Sequence, residues 1–279
     1  MSVVSVFTNG RLEPGAEPQD DLLAADSWLV DEGAVRFLGD HRTRFRAACA
    51  GLTDPGSVDR FWAAAVEALP RTGRWFPRVE LSATGRLRLR VRPVPAARTS
   101  LIARFAPPGD PRSRPRLKGP DLILLSELRA AAAAQGADEL LLRNADGLLL
   151  EGVTTSLVWW VDGELCVPSR GLPCLPGVTT GRIQARAREL GIPLRHRRST
   201  PDQLAGREVW LVNALHGIRP VRGWAGTDMI AGPARNAPEW QAWLTARARI
   251  LPRAEAPALV PGRPGPRPGD AGNSGPHRV

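Results

Sequence analysis

The sequence predicts an α+β protein of two domains followed by a disordered tail. Three observations lead there. Short apolar runs with period-2 patterning, broken at Asn-Gly, Thr-Gly and Asp-Gly, alternate with a few segments of helical spacing. A Pro/Gly-rich stretch, "APPGDPRSRP" at 106–115, punctuates the chain before its midpoint. The chain's 279 residues suffice for one large core or two medium ones. These place an N-terminal α+β domain at 1–107, a linker at 108–117, a C-terminal domain at 118–251 and the tail at 252–279.

Element by element, "VVSVFTNGRLEP" reads as a strand, an Asn-Gly turn and a second short strand. "DSWLVDEGAVRFLGDH" reads as another hairpin, leading into a helix at "HRTRFRAACAGL". "SVDRFWAAAVEALPRTG" is a second helix, with Ser57 as its expected cap and Pro70 and Gly73 near its end. "RVELSATGRLRLRVRPV" gives two strands around Thr-Gly, the second carrying arginine at every other position. Past the linker, "DLILLSELRAAAAAQG" is a helix that Asp121 can cap and Gly136 ends. "DELLLRNADGLLLEG" and "TTSLVWWVDGELCVP" are hairpins, "PGVTTGRIQARARELG" is a helix, and "REVWLVNALHGIRPV" is a strand running into a loop. The tail holds few large apolar residues among its prolines and glycines.

Hydrophobic residues make up 43% and charged residues 24%, as in ordinary globular proteins. No apolar stretch approaches the roughly 20 residues of a membrane helix, and the opening decapeptide lacks the basic start and apolar run of a secretory leader. Neither a membrane partner nor export is expected. Cys49, Cys166 and Cys174 are too few and too scattered for a disulfide scaffold, which points to a reducing cytoplasm. With His41, His196, His216 and His277 they show no metal-ligand spacing, so no metal is expected. The net charge of +10 raises a nucleic-acid reading. Against it, the arginines are scattered, with "RHRR" at 195–198 the densest spot. An absence of Tyr beside 27 Pro and 28 Gly looks like composition drift. No nucleic-acid partner is expected, and a small anionic substrate fits the charge.

One residue resists the drift. Among 38 lysines and arginines, Lys118 is the only lysine. An amine can lose its proton and bond to carbon, whereas a guanidinium stays charged. A surface lysine not yet replaced is the plain alternative.

The residues around Lys118 decide between these. A lysine stands before a helix in "KGPDLILLSELRAAAAAQGADELLL". There follow "LLLEGVTT", the helix entry "LPGVTTG" and the loop "NALHGIRPV". Together, across residues 116–221, they resemble the class IV (fold type IV) pyridoxal-phosphate enzymes, which include the branched-chain and D-amino-acid aminotransferases and aminodeoxychorismate lyase. The N-terminal half resembles that family more loosely, through "TNG" and "HRTRF". The resemblance implies a D-amino-acid aminotransferase-like fold, pyridoxal 5'-phosphate as cofactor and a homodimer.

It also implies roles. Lys118 matches the lysine that forms a Schiff base with the cofactor and shuttles the substrate's proton. Glu151 matches the carboxylate facing the pyridine nitrogen. Gly177, Val178 and Thr179 open a helix whose N–H groups suit a phosphate, and Arg44 matches the phosphate-binding arginine. Thr154 and Thr155 would contact the ring or its phosphate. Asn213, with Ala214, stands where aminotransferases of the family carry Gly-Thr or Ser-Thr.

Ile123 occupies the place of a tyrosine typical of the branched-chain enzymes, and "NAL" at 213–215 looks like the aminodeoxychorismate lyases. Asp26 and Ser27 stand in for a Glu-Thr pair in a much altered pocket wall. The leading expectation is therefore release of pyruvate from 4-amino-4-deoxychorismate to give 4-aminobenzoate. A class IV aminotransferase is the alternative, and a basic binding protein without chemistry is the remote one. Arg86, Arg88, Arg90, Arg92, Arg98 and His216 all remain open as contacts for the substrate carboxylate.

Overall fold

A computed structural model of the chain describes residues 2–16, 20–96 and 98–252; the expected tail lies, past Pro252, outside the described residues. Strands β1 (Val3–Thr8) and β2 (Arg11–Pro14) form the opening hairpin. Its turn residues Asn9 and Gly10 both take positive φ, as a primed two-residue turn requires. There follow β3 (Leu22–Ser27), the small hairpin β4 (Val30–Asp31) and β5 (Ala34–Arg36), helices α1 (Leu38–Cys49) and α2 (Pro55–Glu67), then β6 (Arg74–Trp75), β7 (Arg78–Ser82) and β8 (Leu87–Val91).

Strands β2-β1-β8-β7-β3 make an antiparallel sheet. Trp28, Phe45, Phe61 and Trp62 fill a core with Val79, Leu81 and Leu89 of that sheet. Helix α2 is capped by Asp54, whose carboxylate accepts from Ser57 N at 2.7 Å. Ser57, expected as the cap, is instead the residue whose N–H is capped, because Pro55 starts the helix two residues earlier.

The second half contributes β9 (Leu101–Pro108), α3 (Leu122–Ala134), β10 (Glu139–Arg143), β11 (Leu149–Gly152), β12 (Ser156–Val161), β13 (Glu164–Pro168), α4 (Val178–Glu189), β14 (Leu194–Arg197), β15 (Val209–Asn213), β16 (Gly217–Trp224), α5 (Ala237–Thr245) and β17 (Ala248–Ile250). Eight of its strands form one mixed sheet in the order β11-β10-β9-β16-β15-β12-β13-β14. The sequence grouped residues up to 107 with the first unit. Strand β9 instead pairs in parallel with β10 and β16, in the interior of the second sheet. Strand β17 returns to the first half and pairs with β5. No described helix is long and apolar enough to cross a membrane.

The stretch read as a linker is an ordered strap between the halves. Asp121 is the N-cap residue of α3, but its carboxylate makes no cap bond and turns back to accept from Ser113 N, Ser113 Oγ and Arg114 N. At the strap's far end the Lys118 carbonyl accepts from Ala25 N at 2.7 Å, joining the strap to β3. Gly119 takes φ +144 there, and a Cβ on it would lie 2.8 Å from Ala24 Cα. We predict that Gly119→Ala lowers stability by about 1–3 kcal/mol in urea unfolding. Gly147→Ala, at a positive φ in open space, should cost less; equal losses would show that the approach to Ala24 does not matter.

Candidate active site

A cavity of about 490 Å³ opens between the two sheets. Its walls come from β7, the strap, the first turns of α3 and α4, the β11–β12 turn and the β15–β16 loop. Arg44, Lys118, Glu151, Thr154, Thr155, Gly177, Val178, Thr179 and Asn213, all given roles from the sequence, line it.

Lys118 is half-buried, with its backbone tied to β3 as above. Burial, helped by the neighbouring Arg44, Arg78 and Arg92 charges, pulls its ammonium down to about 8 against the opposing pull of Asp26. Near neutral pH the amine is therefore free of its proton a useful fraction of the time, as a base or nucleophile requires.

Arg44, on α1, is oriented by a carboxylate the sequence reading had placed only as a substituted wall residue. Asp26, fully buried on β3, accepts the Arg44 Nε and Nη2 forks at 2.8 Å each, the His41 ring at 2.8 Å and its neighbour Ser27 N at 2.7 Å. Burial alone would raise the Asp26 carboxyl, but His41 and Arg44 outweigh it and hold it at about 2. The remaining Arg44 nitrogen, Nη1, reaches the Pro176 carbonyl at 3.3 Å and so lies against the entry of α4.

That entry is built for an anion. Gly177 is the N-cap of α4 with no side-chain cap, so the first N–H groups of Val178, Thr179 and Thr180 have no partner within the helix. A buried hydroxyl beside them, Thr180 Oγ1, makes no hydrogen bond. Buried hydroxyls without partners are costly unless something else satisfies them. Thr180 was absent from the sequence-derived set, though it adjoins it. Gly177 also has no room for a side chain, since a Cβ would sit 2.7 Å from Ser156 Oγ.

At the other end, Glu151 on β11 is buried and accepts from Arg112 Nη1 and, at 2.7 Å, from Leu175 N, both at the same oxygen. Arg112 is itself gripped by Asp110 through Nε and Nη2, at 2.9 Å each. Burial pushes the Glu151 carboxyl up to about 7 despite Arg112. It can be ionised or neutral at physiological pH, according to what faces it.

The loop after Glu151 is fixed from beneath. Fully buried Glu139 accepts from Thr154 N at 3.1 Å and from the Thr154 hydroxyl. The Thr155 hydroxyl is buried against Gly152, where a Cβ would collide with it. Asn213 closes its own loop, accepting from His216 N at 2.8 Å and donating to the Thr154 carbonyl at 3.3 Å.

Of the residues left open for a substrate carboxylate, Arg92 and His216 line the cavity. Arg86 is exposed, Arg88 is bonded to Asp20, Arg90 lies beside Glu80 and Arg98 reaches Asp138. Burial and nearby arginines, Arg219 foremost, lower the His216 ring to about 4, so it is neutral at pH 7. The structure adds Arg78, Arg112, Arg129 and Arg219 to the wall. Only the "PRSRP" of the strap carried a local sign of them, and its prolines read as a linker.

The family model described as amino-transferase class IV matches residues 23–224. A search among curated proteins finds no match. A hypothetical aminotransferase from Mycobacterium tuberculosis in its apo form superposes with a TM-score of 0.76 at 21% identity, over 90% of this chain and 99% of that one. A fold IV-transaminase from Curtobacterium pusillum gives 0.70 at 19% identity, over 88% and 98%. The branched-chain aminotransferase from Thermoproteus uzoniensis with norvaline gives 0.70 at 20%, over 88% and 96%.

Because Lys118 is the only lysine, its titration can be read cleanly. Acetic-anhydride labelling of the ligand-free protein, with peptide mapping, should show a midpoint near 8 rather than 10.5. Arg44→Gln removes a positive neighbour and should move that midpoint upward. An unshifted wild-type midpoint would refute the electrostatic account of the site.

Proposed function

The chain belongs to the class IV aminotransferase family of pyridoxal-phosphate-dependent enzymes, and from that premise we propose that it acts on a small anionic amino substrate in the manner of aminodeoxychorismate lyase. The observation that carries the reading is the meeting of one tuned amine, one buried carboxyl and one uncapped helix entry around a single cavity.

The residues fit the cofactor. The α4 entry, Arg44 and the unpartnered Thr180 hydroxyl offer an anion cradle for its phosphate. Glu151, poised at about 7, is a carboxyl that a protonated ring nitrogen would hold ionised. Lys118 would hold the cofactor covalently between them. When bound, the cofactor's ring supplies an electron sink that acidifies the proton on the carbon bearing the substrate's amine.

The chain's own residues do the rest. Lys118, once released, takes that proton and can deliver it elsewhere, because burial lowers its affinity for protons toward neutrality. Arg112 and Asp110 keep Glu151 aimed, and the Asp26 clamp keeps Arg44 aimed, so little reorganisation is needed on binding. In the lyase outcome the substrate ring loses its enolpyruvyl group as pyruvate, and aromatisation to 4-aminobenzoate drives the release. Support for that outcome is the Asn213-Ala214-Leu215 run, whose asparagine closes the loop at the cavity rim.

Transamination is the second reading, favoured by the description of the matching family model. It shares the first proton transfer and differs in where the proton returns. We also read the chain as a cytoplasmic homodimer. The compartment is supported by three free thiols, of which Cys49 and Cys166 are buried, and the dimer by the family resemblance.

With 4-amino-4-deoxychorismate and no acceptor 2-oxo acid, the enzyme should release pyruvate and 4-aminobenzoate in equal amounts. Conversion to the pyridoxamine form by an amino donor, without pyruvate release, would overturn the lyase reading in favour of transamination. Lys118→Arg should abolish covalent cofactor attachment and lower turnover by about 10³-fold or more. Glu151→Gln should retain attachment and slow turnover, read as kcat against KM.

A further inference from the structure

The turn at 214–216, which joins β15 to β16 and lines the cavity through Ala214, Leu215 and His216, is held from the other half of the molecule. The ladder of the two strands ends at the pair Asn213 and Gly217, so the turn's own peptide groups need partners elsewhere. Asn213 takes the His216 N–H at 2.8 Å, and Gln241 of α5 takes the Ile218 N–H at 2.7 Å. The carbonyls of Ala214 and Leu215 are both met by one group, Arg36 Nη2 of β5, at 3.0 and 3.3 Å.

Arg36 is a costly residue for that task. It is half-buried, and it forms no ion pair among the described residues. Asp31, on the neighbouring strand β4, is paired with Arg74 at 3.4 Å. Burial pulls the Arg36 guanidinium downward, and the Asp31 charge opposes this only in part. A cation drawn from water without a counter-ion is tolerated when its N–H groups are well used. Here they are used on two consecutive carbonyls of a single turn. Gly217 makes room for the approach: it takes φ +74, and a Cβ on it would lie 2.9 Å from Arg36 Nη1.

Arg36 is itself anchored. Strand β5 lies between β4 and β17, and Arg36 stands opposite Ala248 of β17. Past β17, Leu251 is buried in the N-terminal core and its N–H donates to the Gly33 carbonyl at 2.8 Å. Arg71 donates to the Leu251 and Pro252 carbonyls at 2.9 and 3.0 Å. A strand arriving from the C-terminal half therefore fastens the hairpin that carries Arg36.

We propose that Arg36 is a positioning residue for the reaction: it holds the 214–216 turn in the shape that receives the substrate, while touching neither substrate nor cofactor. Arg36 lies outside the cavity lining. This role presupposes the functional reading above and deepens it. The cofactor's anchors there, Lys118, Glu151 and the α4 entry, all lie outside the turn, which leaves the turn to meet the substrate. A guanidinium bonded to two successive carbonyls fixes their peptide planes, so the face turned to the cavity is set before a ligand arrives.

Hydrogen exchange on the cofactor-free protein and kinetics on the holoenzyme test this together. In Arg36→Gln the amides of His216 and Ile218 should exchange about 10-fold faster, with protection in β7 and α2 unchanged. With 4-amino-4-deoxychorismate, KM should rise about 10-fold while kcat stays within about 3-fold, the split expected when substrate binding alone is weakened. Cofactor titration should match that of the wild type. Arg36→Lys, which keeps the charge but not the fork, should recover part of both effects. Arg36→Met, which keeps the apolar stem, carries the same expectations if the glutamine variant does not fold. Arg249→Gln removes an exposed charge from the adjacent strand and should change neither measurement. Unaltered exchange in the turn, faster exchange with KM unmoved, or loss of protection throughout the N-terminal core would overturn the proposal. No turnover of this substrate by the wild-type enzyme would sink the functional reading, and the exchange comparison would still decide whether Arg36 holds the turn.

Discussion

The hydrogen bond from Ala25 N–H to the Lys118 carbonyl governs the geometry of the whole site. Lys118 sits on a strap without regular secondary structure, so nothing in the strap itself sets the height of the amine above the cavity. The bond sets it, and Gly119, lacking a Cβ, allows the backbone to reach Ala24 closely enough to form it. Because β3 also carries Asp26, the same strand positions the amine and the carboxylate that aims Arg44. A shift of β3 would move both together, preserving their relation.

Charge burial is the second theme, and it acts in opposite directions on groups of opposite sign. Desolvation lowers Lys118 to about 8 and raises Glu151 to about 7. Both end near neutrality because both are cationic or anionic groups held from water without full compensation. The arginines around them stay charged, and their use is directional. Asp26 on Arg44 and Asp110 on Arg112 are clamps that fix where a guanidinium points. Such buried pairs add little net stability, since desolvation offsets most of their attraction. What they contribute is orientation, which an active site needs before its ligand arrives.

The legible parts of this protein were those whose signals are local. The Asn-Gly, Asp-Gly and Thr-Gly hairpins announce themselves within a dozen residues, and so do the helices at 178 and 122. Lys118, Glu151 and the α4 entry each belong to a short motif, and all reach the cavity. The Asp26 clamp was not legible, because its partners lie 15 and 18 residues away across a strand-to-helix crossing. Strand β9 was hidden by the prolines that follow it, since a short apolar run beside a Pro-rich stretch reads as the end of a domain. Asp121 is the cap by position, but its carboxylate, with three donors waiting in its own strap, is better satisfied there than on the helix. The alternating arginines around β8 could not be ranked from the sequence as contacts for a substrate. Arg88 is buried there and bonded to Asp20, whereas Arg92 lines the cavity.

The same electrostatics explain why one lysine persists in a chain that otherwise writes basic residues as arginine. At a clamp, arginine is the better residue: its fork engages both carboxylate oxygens and its charge never lapses. Replacing lysine by arginine at positions 44 or 112 therefore gains geometry. At position 118 it would place a permanent charge in a site where burial and three arginines already disfavour one. It would also remove the only side-chain amine able to lose its proton near neutral pH. Drift toward arginine improves the walls of this cavity and is stopped at the one position where the cation must be able to stop being one.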